Sequence, residues 1–194
     1  MWGFIAGVLT TAGFVGWAGR RKLPKIKGLR QIPGYPTKLL IWETKKNDLH
    51  SRLANVAGGR HGVSHVTVDL GEVDGKGRRL MVDCLPSRGV VRIPRNKYGR
   101  RRHATIVLSG EDGRETAGAI KAKIGLPYDS LAMLSGLGTS DMITCSTLVY
   151  SSLPERLKAK VKSTRAKGQI GVACTPSQLL FAFGAELDGA PVVI

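Results

Sequence analysis

Cysteine is scarce: three in 194 residues, an odd count that argues against a disulfide framework and makes a reducing compartment the simpler expectation. Cys84, Cys145 and Cys174 lie far apart, so no pair has the close spacing of a structural zinc site. The four histidines, His50, His61, His65 and His103, form no H-E-x-x-H signature, and no metal or other cofactor is expected. Aromatic residues make up only 6%. The basic stretches therefore lack the interleaved aromatics that stack bases, and no zinc-finger or RNP-like signature appears, which argues against a dedicated nucleic-acid binder. Acidic residues are also few. Fourteen Asp and Glu face thirty Lys and Arg, a net charge of +16 that attracts polyanions: nucleic acid, anionic lipid or acidic cell-wall polymer. Much of that charge sits in residues 20–30, 92–102 and 156–167, where a plain solubilising surface is the competing account. No internal repeat is present.

What the chain does have is enough apolar residue, 42%, to bury a core, and a length that suits one domain plus a terminal extension. Residues 2–18 carry no charge, and Arg20, Arg21 and Lys22 follow at once. That run is at the short end of a membrane span, with Trp2 and Trp17 near its two ends. Gly3 and Gly7, then Ala12 and Gly16, give the small-residue spacing that lets helices approach closely, so self-association is a second use of the same segment. Positive charge after the run, not before it, disfavours a cleaved signal and places the remainder on the cytoplasmic side. The expected organisation is an apolar, membrane-associated helix in residues 1–22, a basic, proline-containing linker in 23–36, and a folded domain in 37–194.

Within that domain, residues 37–44 read as a strand and 48–56 as a short helix stopped by Gly58 and Gly59. Residues 65–70 alternate apolar and polar, and 79–85 read as another strand, with Asp74-Gly75 as turn chemistry between them; this predicts a hairpin. Short strands are expected at 90–93 and 104–108. Residues 114–124 read as an amphipathic helix, and 143–153 as another with Thr144 at its cap. Residues 154–167 are helix or exposed loop. Residues 175–183 open with Thr as cap and Pro at the first helical position. Strand, helix, strands, helices in that order indicate an α+β fold.

If Asp74 and Gly75 form the turn, cross-strand partners sum to about 149, so His65 falls opposite Asp83 or Cys84. A slip of one residue decides whether His65 and Asp83 share a face. If they do, the carboxylate can hold one imidazole nitrogen and free the other as a base. Cys145 falls in the first turn of the 143–153 helix, where unsatisfied N–H groups and the helix dipole favour negative charge. Cys, His and a carboxylate so placed form an activated-nucleophile layout. Cys84 and Cys174 read as small core hydrophobes, and His61, in a glycine-rich turn, is the competing histidine.

Ser64-His65-Val66, then Val82-Asp83-Cys84-Leu85-Pro86 running into Gly89-Val90-Val91-Arg92-Ile93, then Thr144-Cys145-Ser146-Thr147-Leu148-Val149, resemble the circularly permuted NlpC-type, papain-like hydrolases, the YiiX-like and lecithin retinol acyltransferase-like group. Residues 125–129 and 175–179 resemble two further segments of that family, and the likeness covers roughly residues 35–183. It implies a permuted papain-like domain: an antiparallel sheet packed on a nucleophile-bearing helix, the His strand preceding the Cys helix. It also implies Cys145 as nucleophile, His65 as base and Asp83, where the family often has Glu, as the third polar residue. The activity so implied is thiol hydrolysis of amide or ester bonds, cell-wall peptide favoured. A lipid-directed acyltransferase or thioesterase is the alternative, and a non-enzymatic membrane or virion ejection component that keeps the fold is another.

Overall fold

In the computed structural model, residues 25–128, 143–164 and 174–194 are described. In chain order the elements are β1 (Arg30–Gln31), β2 (Thr37–Glu43), α1 (Leu49–Ala57), β3 (Val63–Val73), β4 (Arg79–Leu85), β5 (Gly89–Pro94), a 3-10 turn (Arg95–Tyr98), β6 (His103–Leu108), α2 (Gly110–Ala122), α3 (Cys145–Ser152), α4 (Glu155–Ser163), α5 (Pro176–Phe183) and β7 (Val192–Val193). The fold is α+β. The strands form one seven-stranded sheet in the order β5-β4-β3-β2-β6-β7, with β1 on β3. All pairings are antiparallel except β6 with β7.

Strand alternation divides the apolar residues between two faces. Leu39 and Ile41 of β2, Val66 and Val68 of β3, Val82 and Cys84 of β4 and Ile106 of β6 point into the main core. There they meet Ile120 of α2, Leu148 and Val149 of α3, Leu157 and Val161 of α4, and Leu179 and Phe183 of α5. The intervening Leu40, Trp42, Met81, Val91 and Ile93 build a smaller cluster on the opposite face, closed by Tyr98 from the 3-10 turn. Trp42 and Tyr98 stack there with ring centroids 4.5 Å apart.

Local side-chain chemistry sets several helix starts. Asp48 accepts the Ser51 N–H at the start of α1, and Thr175 accepts the Gln178 N–H before Pro176 opens α5. The α2 helix begins four residues before the expected 114, at Gly110, because Glu111 and Asp112 suit the positive end of its dipole. The stretch expected as a linker departs further: Arg30 and Gln31 pair with Val73 and Glu72, and the Lys27 carbonyl accepts from Gly75. Tyr35 then packs so closely on Gly71 (φ +72°) that a Cβ there would lie 2.5 Å from its ring, and its hydroxyl donates to Asp69.

The hairpin turn is longer than the two residues expected. Asp74 accepts from the Lys76 and Arg78 amides, closing a loop between Val73 and Arg79. Partner numbers there sum to 152, not 149; a shift between Val68 and Glu72 then brings Val68 opposite Val82, a sum of 150. Among the described residues no helix is long and apolar enough to cross a membrane. The apolar run at residues 2–18 lies outside the described residues.

Candidate functional site

The β3–β4 pairing ends, on the His65 side, at Val68↔Val82. Extending that register puts Thr67 opposite Asp83, so His65 lies on the same face, one alternation further along. The side chains span that offset: His65 Nε2 and Asp83 Oδ1 are 2.6 Å apart. Asp83 is fully buried and the His65 side chain is 18% exposed, so the pair sits at the rim of the core with only the imidazole reaching solvent. His61, the competing histidine, instead packs edge-on against Phe181 at 4.7 Å.

Two residues that sequence reasoning missed complete the surroundings of Asp83. Tyr98 donates its hydroxyl to Oδ2 at 2.7 Å, and the Lys97 ammonium lies 3.8 Å from the same oxygen. The Tyr98 ring also lies nearly parallel to His65, with centroids 5.7 Å apart. Nothing in the local pattern Arg-Asn-Lys-Tyr-Gly marks Tyr98, because its role depends on a sheet that folds back over it.

Cys145 is the first residue of α3, two positions nearer the helix start than residues 143–153 implied. Thr144 and Thr147 form a reciprocal capping box: the Thr144 hydroxyl accepts the Thr147 N–H and the Thr147 hydroxyl accepts the Thr144 N–H. Both neighbours of this turn are anchored. The Cys84 thiol donates to the Ile143 carbonyl at 3.0 Å, and the Ser146 hydroxyl donates to the Cys174 carbonyl at 2.6 Å. Ile143 also donates to Pro127, at the end of a segment that hangs on β5 through Val90 and Gly125. The α3 helix packs on β3 and β4, and the Cys145 thiol acts on the His65 imidazole through charge and a hydrogen bond.

The electrostatics follow from that meeting. Burial disfavours a charge on His65, but Asp83 and Cys145 outweigh it through charge and hydrogen bonding, and the imidazole is raised to about 10. Burial likewise opposes the Asp83 carboxylate, yet His65, Tyr98 and Lys97 hold it below the usual range. Burial pushes the Cys84 and Cys174 thiols up, with Cys145 adding to both. Cys84 and Cys174 therefore remain neutral core groups. The residues named as candidates, Cys145, His65 and Asp83, thus lie in one cluster. Among the described residues no group of His, Cys, Asp and Glu could hold a metal ion.

No protein-family model, curated protein or solved structure matches the chain.

Proposed function

We propose that the protein is a thiol hydrolase acting on amide bonds, with cell-wall peptides as the favoured substrate class. The observation that carries this reading is the His65–Asp83 hydrogen bond at 2.6 Å with Cys145, at the start of a helix, acting on the same imidazole. The order His strand, Asp strand, Cys helix is also that of the circularly permuted NlpC-type hydrolases, which the motifs resemble.

In the proposed reaction the Cys145 proton resides on His65, whose charged form Asp83 stabilises, and the sulfur attacks the substrate carbonyl carbon. The C–N bond then breaks as His65 protonates the leaving amine, leaving a thioester on Cys145. Water, deprotonated by His65, hydrolyses the thioester and regenerates the thiol. First-turn N–H groups of α3 are the natural donors for the oxyanion. Asp83 holds the imidazole in place and stabilises its charged form.

Mass spectrometry after treatment with amide-directed and lipid-directed thiol probes tests this, comparing wild type with Cys145→Ala. The expected result is one adduct, on Cys145, formed fastest with the amide probe and absent from the variant. Faster acylation by the lipid probe would move the assignment to lipid acyl transfer. No adduct on Cys145 would end the enzyme reading.

A further inference from the structure

Helix α1 is inside out. Its residues at one helical face, Ser51, Ala54, Asn55 and Gly58, turn toward the domain and its opposite face, Leu49, Arg52, Leu53 and Val56, turns away. The inner face is held by polar bonds: Ser51 Oγ shares a hydrogen bond with Ser64 Oγ, and Asn55 Oδ1 accepts the Gly62 N–H at 2.9 Å. The outer face leaves Leu49 66%, Leu53 39% and Val56 38% exposed. A helix folded for this domain alone would bury the leucines and expose the serine and asparagine.

Helix α5 meets the end of α1. Gly58 abuts α5 so closely that a Cβ there would lie 2.7 Å from Ser177 Oγ. From α5, Phe181 adds a 46% exposed ring in contact with His61. Four of the six exposed large hydrophobics among the described residues therefore belong to α1 and α5.

The rim is cationic. Lys45 and Lys46 precede α1, Arg52 lies within its outer face and Arg60 follows it, all exposed. Asp48, half-buried, is occupied in capping the helix. A second copy of this chain would bring those like charges together, and a nucleic acid offers nothing to the leucines. An anionic bilayer satisfies both: leucine, valine and phenylalanine enter the acyl boundary while Lys and Arg meet the headgroups.

We infer that α1, with Phe181, is an interfacial docking face for anionic lipid membranes. It is distinct from the apolar run at residues 2–18 and independent of any chemistry at Cys145.

Tryptophan emission of the full chain carrying Leu53→Trp, with the wild-type spectrum subtracted, reports on this face directly. Adding phosphatidylcholine vesicles that contain phosphatidylglycerol should shift the added residue's emission to the blue. Pure phosphatidylcholine should shift it far less. The Leu49→Ser/Leu53→Ser chain should partition onto the mixed vesicles at least about tenfold more weakly. Arg52→Glu combined with Lys46→Glu, both exposed, should weaken it too. Unshifted emission on vesicles that the chain nevertheless binds would overturn the inference, since the contact would lie elsewhere. A blue shift that appears with protein concentration in the absence of lipid would also overturn it, in favour of self-association.

Discussion

Tyr98 donates its hydroxyl to the Asp83 oxygen that His65 does not use, at 2.7 Å, while His65 takes the other at 2.6 Å. The carboxylate is fully buried, so these two bonds and the more distant Lys97 replace its lost hydration. Tyr98 is itself fixed by stacking on Trp42. The line Trp42, Tyr98, Asp83, His65 therefore carries the packing of the smaller core cluster to the imidazole. Tyr98 positions the site without touching a reacting atom.

Tyr98→Phe keeps the ring and its stacking and deletes one donor. The freed Asp83 oxygen is then buried with one partner fewer, so the carboxylate's affinity for a proton rises. The acid limb of the stability profile, where the depressed carboxylate takes up its proton, should move to higher pH, and hydrolysis should slow by about tenfold. Stability should fall by roughly 1–3 kcal/mol, the cost of an under-satisfied buried charge. An unchanged acid limb with the same stability loss would reduce Tyr98 to packing alone.

Partners, not burial, separate the three thiols in a second experiment: all are buried, and Cys145 is the one that acts on the His65 imidazole. Cys84 and Cys174 are held protonated by desolvation, and the Cys84 thiol is engaged with the Ile143 carbonyl. Iodoacetamide at neutral pH should therefore modify Cys145 first, by about tenfold or more over either neighbour. Peptide mapping of the singly modified chain reads this out, and equal modification of all three would show that the α3 start confers no selectivity.

How much of this was readable beforehand depends on how local each feature is. The Thr144 and Thr175 caps and the Pro176 helix start follow from side chains bonding to backbone three residues away, and the sequence carries them openly. The β3 strand was readable from alternation, and β4 as a short apolar run beyond the Asp74-Gly75 turn. Their register was not, because Asp74 closes a longer loop than Asp-Gly suggests and the strands shift again between Val68 and Glu72. Two departures from the simple count still left His65 and Asp83 on one face. The facing of α1 could not be read at all: Leu49, Leu53 and Val56 form a helical stripe, and periodicity does not say which side the domain lies on. β1 was hidden for a related reason, since only the fold of β3 offers Arg30 and Gln31 an edge to pair with.

Gly89 should tolerate no side chain. Its φ is +69°, and a Cβ would lie 2.1 Å from the Leu126 carbonyl oxygen. That carbonyl accepts the Val90 N–H at 2.9 Å, so the segment cannot retreat without losing the bond. Gly89→Ala should cost on the order of 3 kcal/mol in a denaturant titration. Because the same segment leads through Pro127 to Ile143, Cys145 alkylation should change alongside. A loss below about 1 kcal/mol would show that the 125–128 segment yields easily.

Asp83→Asn tests the pair through its pH dependence. A raised histidine contributes stability that is complete below its ordinary value of 6.5 and is lost as pH climbs toward about 10. A depressed carboxylate contributes stability that is present above its ordinary 3.8 and is lost as pH falls. The pair therefore stabilises the fold most between about pH 4 and 6.5, and progressively less up to about pH 10. Removing the carboxylate charge leaves burial to act on His65 with only Cys145 opposing it, so the imidazole should give up its proton at lower pH, visible in its ring NMR signals. The gap in urea stability between wild type and Asp83→Asn should be about 3 kcal/mol near pH 5.5 and should narrow steadily toward pH 10. Hydrolysis should drop on the order of 10²-fold, because the imidazole loses both its orientation and the anion that stabilises its charged form. A gap that stays constant across this range would mean that His65 is not charged in the folded protein. The proton would then have to come from elsewhere, with His61→Ala as the next variant to assay.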